Sequence, residues 1–310
     1  MRRIRVCAIQ MDSVFGDING NLAKMDKFAA EAASDAVEMI LFPELAVSGY
    51  NLTEKIWDFA EKENGETVSK LGAMAKKYGM YLGTTIIERS GCDIFNKFYL
   101  FLPDGNIAGT VKKSPPISVE AYFFKNEDNP HVIDTPVGRI GVGICGENLY
   151  FKRLKDFYDS GVDLILQPAA AAYSQERFPF TGRDTRVFRD MLKRLVELYA
   201  VKLGVPAVMA NRCGRLVTEL PGGFPSQDTF FAGQSALAFP DGRVVRVADE
   251  NEGKLVSDVV LDPSLKVRTA PKHRGCWVDR MPWYAFIWNM TQKSGEKAYA
   301  RDKKRLERFG

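Results

Sequence analysis

Val142-Gly143-Ile144-Cys145-Gly146-Glu147-Asn148 is an apolar run that stops on a thiol, and a helical pattern opens beyond it at Leu149, Leu154 and Phe157. Two other segments share that shape. Leu41-Phe42-Pro43-Glu44 ends an apolar run on a carboxylate, and Val111-Lys112-Lys113-Ser114-Pro115-Pro116 ends one on a lysine. Chemistry in α/β folds collects where strand ends converge. A carboxylate, an amine and a thiol at three such ends point to nucleophilic catalysis without histidine.

Upstream, residues 4–10 read as a buried strand, and Leu22, Met25, Phe28, Ala29 and Ala32 recur at helical spacing behind the cap candidates Asn19 and Asn21. Residues 39–42 form the next strand, so the chain opens strand–helix–strand. A second helical stripe is carried by Val68, Leu71, Met74, Ala75 and Tyr78. Strands follow at 81–87, 98–102 and 107–111, the last two joined across Pro103-Asp104-Gly105-Asn106. A hairpin joins 131–134 to 139–145 across Thr135-Pro136-Val137-Gly138. A short helix, a strand at 164–167, a long helix at 184–203 and a strand at 205–210 come next. The chain then turns all-β, with strands at 235–239, 244–247 and 255–261. Both βαβ units and hairpins are present, which implies a mixed sheet, or two sheets, covered by helices. After Asp262-Pro263, Trp277, Trp283, Tyr284, Phe286 and Trp288 crowd a short tail. The expected division is a catalytic core over 1–262 and a tail over 263–310 that packs on the core or on a partner subunit.

The composition sets limits. At 310 residues, 45% hydrophobic and 26% charged, the chain is that of a globular protein with a sizeable core. A net charge of +4 is small for this length and singles out neither nucleic acid nor a membrane surface. The five cysteines are far apart and lack metal-ligand spacing, which fits free thiols in a reducing compartment. Met1-Arg2-Arg3-Ile4-Arg5-Val6 enters a strand directly, without a signal-peptide pattern, and the expected setting is the cytoplasm.

Cys145 ends a strand and precedes a helix, where the helix dipole is expected to lower a thiol pKa and the following N–H groups to face an oxyanion. The chain has two histidines, His131 and His273; one opens a strand and the other sits in the basic Lys272-His273-Arg274, so neither is assigned as the base. Glu44 directly follows an apolar run, and desolvation raises a carboxyl pKa into the range useful for proton transfer. Lys113 beside both would stabilise a tetrahedral oxyanion.

Phe42-Pro43-Glu44-Leu45-Ala46-Val47-Ser48-Gly49-Tyr50, a lysine at Lys113 and a strand ending in Cys145 together resemble the nitrilase, or carbon–nitrogen hydrolase, superfamily. Ile94-Phe95-Asn96, Ala210-Asn211-Arg212-Cys213-Gly214 and Phe231-Ala232-Gly233-Gln234-Ser235 extend the similarity through most of the chain. The resemblance implies a four-layer αββα sandwich, two mixed sheets flanked by helices, that pairs into homodimers or larger oligomers. It implies a Glu–Lys–Cys triad without metal or cofactor: Glu44 as general base, Lys113 as oxyanion stabiliser and Cys145 as the nucleophile that forms a thioester. Glu120 matches the second glutamate many members place beside the site, and Tyr50 and Gly146 are further substrate-binding candidates. Two departures stand out. Gly146 replaces the aromatic residue expected after the cysteine, which removes a wall of the pocket, and Pro115-Pro116 replaces a His-Leu-like pair. Cys145-x-Glu147-Asn148 is similar to true nitrilases, which carry Trp at the middle position.

The expected activity is hydrolysis of a small amide; a nitrile and an N-carbamoyl (ureido) compound are the alternative substrates. Two other classes compete. Gly141-Val142-Gly143-Ile144-Cys145-Gly146 fits Gly-x-Gly-x-x-Gly, but the next strand ends on Gln167 rather than on the acidic residue a dinucleotide ribose requires. A catalytically silent binding module is opposed by the joint presence of Glu44, Lys113 and Cys145. Arg177, Arg183 and Arg186, after Gln167, are left without a role.

Overall fold

A computed structural model describes all residues except 174–175, 177–180 and 273–274. The first half runs β1 (Arg2–Gln10), α1 (Ile18–Ser34), β2 (Met39–Leu41), β3 (Glu61–Lys62), α2 (Glu66–Tyr78), β4 (Tyr81–Ser90), β5 (Asp93–Phe101) and β6 (Ile107–Lys112). The second runs β7 (Val132–Thr135), β8 (Gly138–Val142), α3 (Phe151–Ser160), β9 (Leu164–Ala169), α4 (Gly182–Leu203) and β10 (Ala207–Asn211). It closes with β11 (Arg215–Thr218), β12 (Gln227–Phe230), β13 (Ala236–Ala238), β14 (Val244–Arg246), β15 (Gly253–Leu261), α5 (Ala285–Ala300) and α6 (Lys303–Phe309).

Two mixed sheets result. One has the order β15-β1-β2-β4-β5-β6 with β3 beside β4, the other β14-β13-β10-β9-β8-β7, and β11 and β12 form a separate hairpin. Strand alternation builds the layers. Ile4, Val6 and Ala8 of β1 pack between the sheets with Ile140, Val142, Leu164, Leu166 and Val208. Cys7 and Ile9 face the other way, onto Leu22, Met25 and Ala29 of α1 and Leu71 and Met74 of α2. The second sheet sends Ile165, Ala207 and Met209 outward against Leu154 and Phe157 of α3 and Met191, Leu195 and Tyr199 of α4. The order of layers is therefore helix, sheet, sheet, helix. No helix among the described residues is long and apolar enough to cross a membrane.

The hairpin β11–β12 was not expected from the sequence, and β5 and the turn after β8 differ from its reading. β5 starts at Asp93 rather than at residue 98, and it pairs with β4 from Ser90↔Asp93 to Leu82↔Phe101. Asn96 and Lys97 hide its first half, because both are buried polar residues: Lys97 Nζ donates to Glu88 Oε1 at 2.8 Å, and Asn96 is used in the site described below. β8 ends at Val142, and Cys145–Leu149 is a single 3₁₀ turn, so the α-helix starts only at Phe151. The tail folds into α5 and α6 and lies on its own core. Tyr122 Oη donates to Ser294 Oγ at 3.0 Å, and Asn126 Nδ2 to Glu296 Oε1 at 2.8 Å. The N–H of Ile94, at the start of β5, donates to Tyr299 Oη at 2.8 Å.

Candidate active site

Each of three strand ends delivers one of the candidate residues. Beyond β2, Phe42 N–H donates to Gly83 O at 2.9 Å and continues the ladder; the chain then turns at Leu45, whose φ is +50° and whose N–H donates to Thr85 Oγ1 at 2.7 Å. This buries Glu44 completely. Beyond β6, Lys113 N–H donates to Asn96 O at 2.8 Å, and the ammonium turns inward. Beyond β8, Gly143 N–H donates to Leu166 O at 3.0 Å, and the chain reverses at Cys145, with φ +52°. A side chain in this left-handed region costs about 1–2 kcal/mol, which the surrounding packing sustains.

The three groups meet. Lys113 Nζ lies 2.6 Å from Glu44 Oε1 and 2.7 Å from Glu120 Oε1. Glu44 Oε1 also accepts from Asn96 Nδ2 at 2.6 Å, which holds the carboxyl group in one orientation. Glu44 Oε2 accepts no such bond, and the Cys145 thiol is the group beside this carboxyl. Glu120 sits in the 3₁₀ turn Ser118–Tyr122; its Oε2 accepts from Ile117 N–H at 2.8 Å and its Oε1 from Tyr50 Oη at 2.7 Å. Tyr50 is therefore tied to Glu120 through its hydroxyl group.

Electrostatics follow from burial and from these pairs. Burial raises the Glu44 carboxyl; Lys113 pulls it back and Glu120 adds to the rise. For Lys113 burial acts downward, but Glu120, Glu44 and Cys145 outweigh it, and the ammonium stays charged. The Cys145 thiol moves opposite to the expectation. Burial, reinforced by Glu44, lifts it well above its ordinary value, against the opposing pull of Lys113 and of the Ala170 N–H. A five-residue 3₁₀ turn carries too little aligned dipole to reverse that. The thiol and the carboxyl group therefore both bind a proton more tightly than in water.

Gly146 also departs from the expectation. A Cβ placed there would lie 2.6 Å from Ile117 Cγ1, so the wall that residue 146 lacks is supplied by Ile117 from the Pro115-Pro116 loop. The glycine gives room to that loop, not to a larger pocket. Gly141 of the Gly-x-Gly-x-x-Gly pattern lies inside β8, where a Cβ would meet Phe157 at 3.1 Å.

A second tier of residues was not assigned from the sequence. Glu147 Oε1 accepts from Ile144 N–H at 2.5 Å, and its Oε2 accepts from Ser114 N–H at 2.9 Å. One buried carboxylate therefore ties the residue before Cys145 to the residue after Lys113. Although burial acts to raise Glu147, His131 and Arg153 bring its pKa below the ordinary value. His131 Nε2 stands 3.1 Å from Glu147 Oε2, which makes this histidine a neighbour of the framework outside the cavity. The quoted Cys145-x-Glu147-Asn148 spacing was the available signal. Arg183 and Arg186 are exposed on α4, away from the cavity, while Arg177 and His273 lie outside the described residues.

A cavity of about 180 Å³ opens onto Cys145, lined also by Tyr50, Lys113, Ile117, Glu120, Gly146 and the tail residue Trp288. Among the described residues no cluster of three His, Cys, Asp or Glu side chains is arranged to hold a metal ion.

Comparison with known proteins places this geometry in context. The profile of the family described as Carbon-nitrogen hydrolase matches residues 5–267. The N-carbamoylputrescine amidase of Arabidopsis thaliana is 26% identical over 291 residues, 91% of this chain and 93% of that protein. Nitrilase 2 of the same plant is 30% identical over 187 residues, so the chain spans about half of that relative (54% of this chain, 55% of that protein). Among solved structures, a carbon-nitrogen hydrolase from Helicobacter pylori G27 superposes with a TM-score of 0.73 at 20% identity, over 84% of this chain and 90% of that one.

Proposed function

The chain belongs to the carbon–nitrogen hydrolase family, and we propose that it cleaves a small amide through a thioester on Cys145. The observation that carries this reading is the meeting of a thiol, a carboxyl group and an ammonium, delivered by three strand ends of two sheets, beside a cavity that Cys145 and Lys113 line. As Cys145 Sγ attacks the carbonyl carbon, its proton passes to Glu44 Oε2, the oxygen with no other donor. The developing oxyanion faces the Lys113 ammonium, which two carboxylates hold in place. Glu44 then returns the proton to the departing nitrogen, and ammonia or an amine leaves as the thioester forms. Water attacks the thioester, Glu44 takes its proton, and the thiol recovers it as the acid leaves. Glu120 acts as a positioning residue, through Lys113 and Tyr50.

The relatives include an N-carbamoylputrescine amidase and nitrilases, so a ureido compound and a nitrile stand beside the amide as substrates to be tested. The test is intact-protein mass spectrometry with ammonia release, on wild type and Cys145→Ala, using a panel of amides, nitriles and ureido acids. An acyl adduct and ammonia from wild type alone are expected, with Cys145→Ala folded and inactive. Equal ammonia release from the variant refutes the covalent route. If no compound reacts and Cys145 alkylates no faster than the other four cysteines, the site is a silent one.

A further inference from the structure

The backbone on either side of Lys113 is held by side chains. Before it, Lys112 N–H donates to Asn129 Oδ1 at 2.9 Å, and Asn129 Nδ2 donates back to Lys112 O at 2.9 Å. After it, Ser114 N–H donates to Glu147 Oε2 at 2.9 Å, and Arg153 Nη2 donates to Ser114 O at 2.9 Å. The same Glu147 accepts from the N–H of Ile144, the residue before Cys145, at 2.5 Å. Two clamps, one built on Asn129 and one on Glu147, therefore hold the chain that presents Lys113 and Cys145.

His131 joins the two clamps. It stands just before β7 with its ring buried, Nδ1 at 2.8 Å from Asn129 O and Nε2 at 3.1 Å from Glu147 Oε2. Its own carbonyl accepts from Val142 N–H, at the end of β8, at 2.9 Å. Both partners of the ring are acceptors. A peptide carbonyl can only accept, and each oxygen of Glu147 already receives a backbone N–H. Against its burial, His131 and Arg153 hold Glu147 below the ordinary carboxylate range, so it is ionised. A neutral imidazole carries one N–H and one lone pair and satisfies a single acceptor; the imidazolium satisfies both. The other charged groups around the cleft beside the ring are Asp128, from the loop before it, and Lys152, Arg153, Asp156 and Asp159 of α3. The two cations among them share Asp156, whose Oδ2 accepts from Lys152 Nζ at 3.0 Å and from Arg153 Nη1 at 3.3 Å.

We propose that His131 is a positioning residue: donating from both ring nitrogens, it ties the Asn129 clamp to the Glu147 clamp and so fixes Lys113 relative to Cys145. The reaction it serves rests on the hydrolase reading above; the two ring hydrogens do not. As pH rises and one of them leaves, a lone pair faces an oxygen and the tie opens on that side.

The experiment is nitrogen NMR of the histidine rings across pH 5–9. The chain has two histidines, so His273→Gln assigns the signals. Hydrogen on both His131 nitrogens is expected at the acid end. Kinetics on the compound that the panel identifies then compare wild type with His131→Gln, whose amide reaches Glu147 but offers nothing to Asn129. While the ring holds both hydrogens, kcat per folded molecule should be about tenfold lower in the variant, with KM within about twofold. The gap should narrow at the pH where the second hydrogen leaves; a purely structural role leaves kcat per folded molecule unchanged at every pH. A ring with one hydrogen throughout, equal kcat, or a gap that ignores the loss of the hydrogen would overturn the proposal. If circular dichroism shows His131→Gln unfolded, His131→Asn, which keeps the donor towards Asn129 instead, takes its place; if neither folds, the ring hydrogens of wild type decide. Without turnover the hydrolase reading fails alone, and alkylation of Cys145 by iodoacetamide replaces kcat: it should be about tenfold slower in the variant, and equal rates overturn the proposal. Hydrolysis by a protein whose ring carries one hydrogen sinks this proposal and leaves the hydrolase reading standing.

Discussion

Gly295 tests whether the tail holds the site in register. It lies in the middle of α5, where alanine is the better helix former by about 1 kcal/mol. By propensity alone, Gly295→Ala stabilises. The structure sets a larger effect against it. A Cβ at 295 would stand 2.9 Å from the Ala121 carbonyl carbon, 2.9 Å from the Tyr122 nitrogen and 2.7 Å from Tyr122 Cδ2. Backbone cannot step aside as a side chain can, so α5 and the turn Ser118–Tyr122 must separate by about half an ångström to restore ordinary contact. Overpacking of this kind costs about 1–3 kcal/mol, which leaves a net loss of about 0–2 kcal/mol and a melting point lower by a few degrees. The sharper effect is on activity. Glu120 is carried by that turn, and misplacement by about 1 Å costs up to about 10²-fold, so a half-ångström shift should lower kcat/KM about tenfold. The assay is a thermal melt with steady-state kinetics on whichever amide the panel identifies. A variant that melts higher than wild type and keeps its kcat/KM would refute the reasoning, because the tail would then be a cover without influence on Glu120.

Two more predictions rest on single contacts. Glu147→Gln keeps the shape but offers an NH₂ to one of two backbone N–H donors that need an acceptor, so it should cost about 2–4 kcal/mol in chemical denaturation. It should also lower kcat more than it raises KM; unchanged kcat would mean that Glu147 supports the fold alone. At the sheet edge, hydrogen bonds from Arg5 and Arg3 hold Asp258 down at about 2. A depressed carboxyl contributes stability above its unfolded pKa of about 3.9 and loses it as pH falls towards 2. Asp258→Asn should therefore melt closer to wild type at pH 2 than at pH 6. A constant difference across that range would show that the contribution of Asp258 is not its charge.

Glu44, Lys113 and Cys145, the triad proposed above, stood out in the sequence because each ends an apolar run. Burial of a strand is periodic, and a carboxylate, a lysine or a cysteine where that period stops is conspicuous. The layers were legible for the same reason: Ile4, Val6 and Ala8 alternate with Cys7 and Ile9, and two buried faces on one strand require cover on both sides. The first half of β5 was not legible, because Asn96 and Lys97 look like loop residues until their partners Glu44 and Glu88 are in place.

By itself, then, the sequence determined the mixed α/β character of the chain and the three strand ends where Glu44, Lys113 and Cys145 stand. Tertiary structure alone decided the direction of the thiol pKa, the filling of the space at Gly146 by Ile117, and the seat of α5 on the turn that carries Glu120. The physical reason is common to all three. Periodicity is a property of one segment and can be read along it, whereas desolvation and van der Waals contact are set by groups from several segments at once.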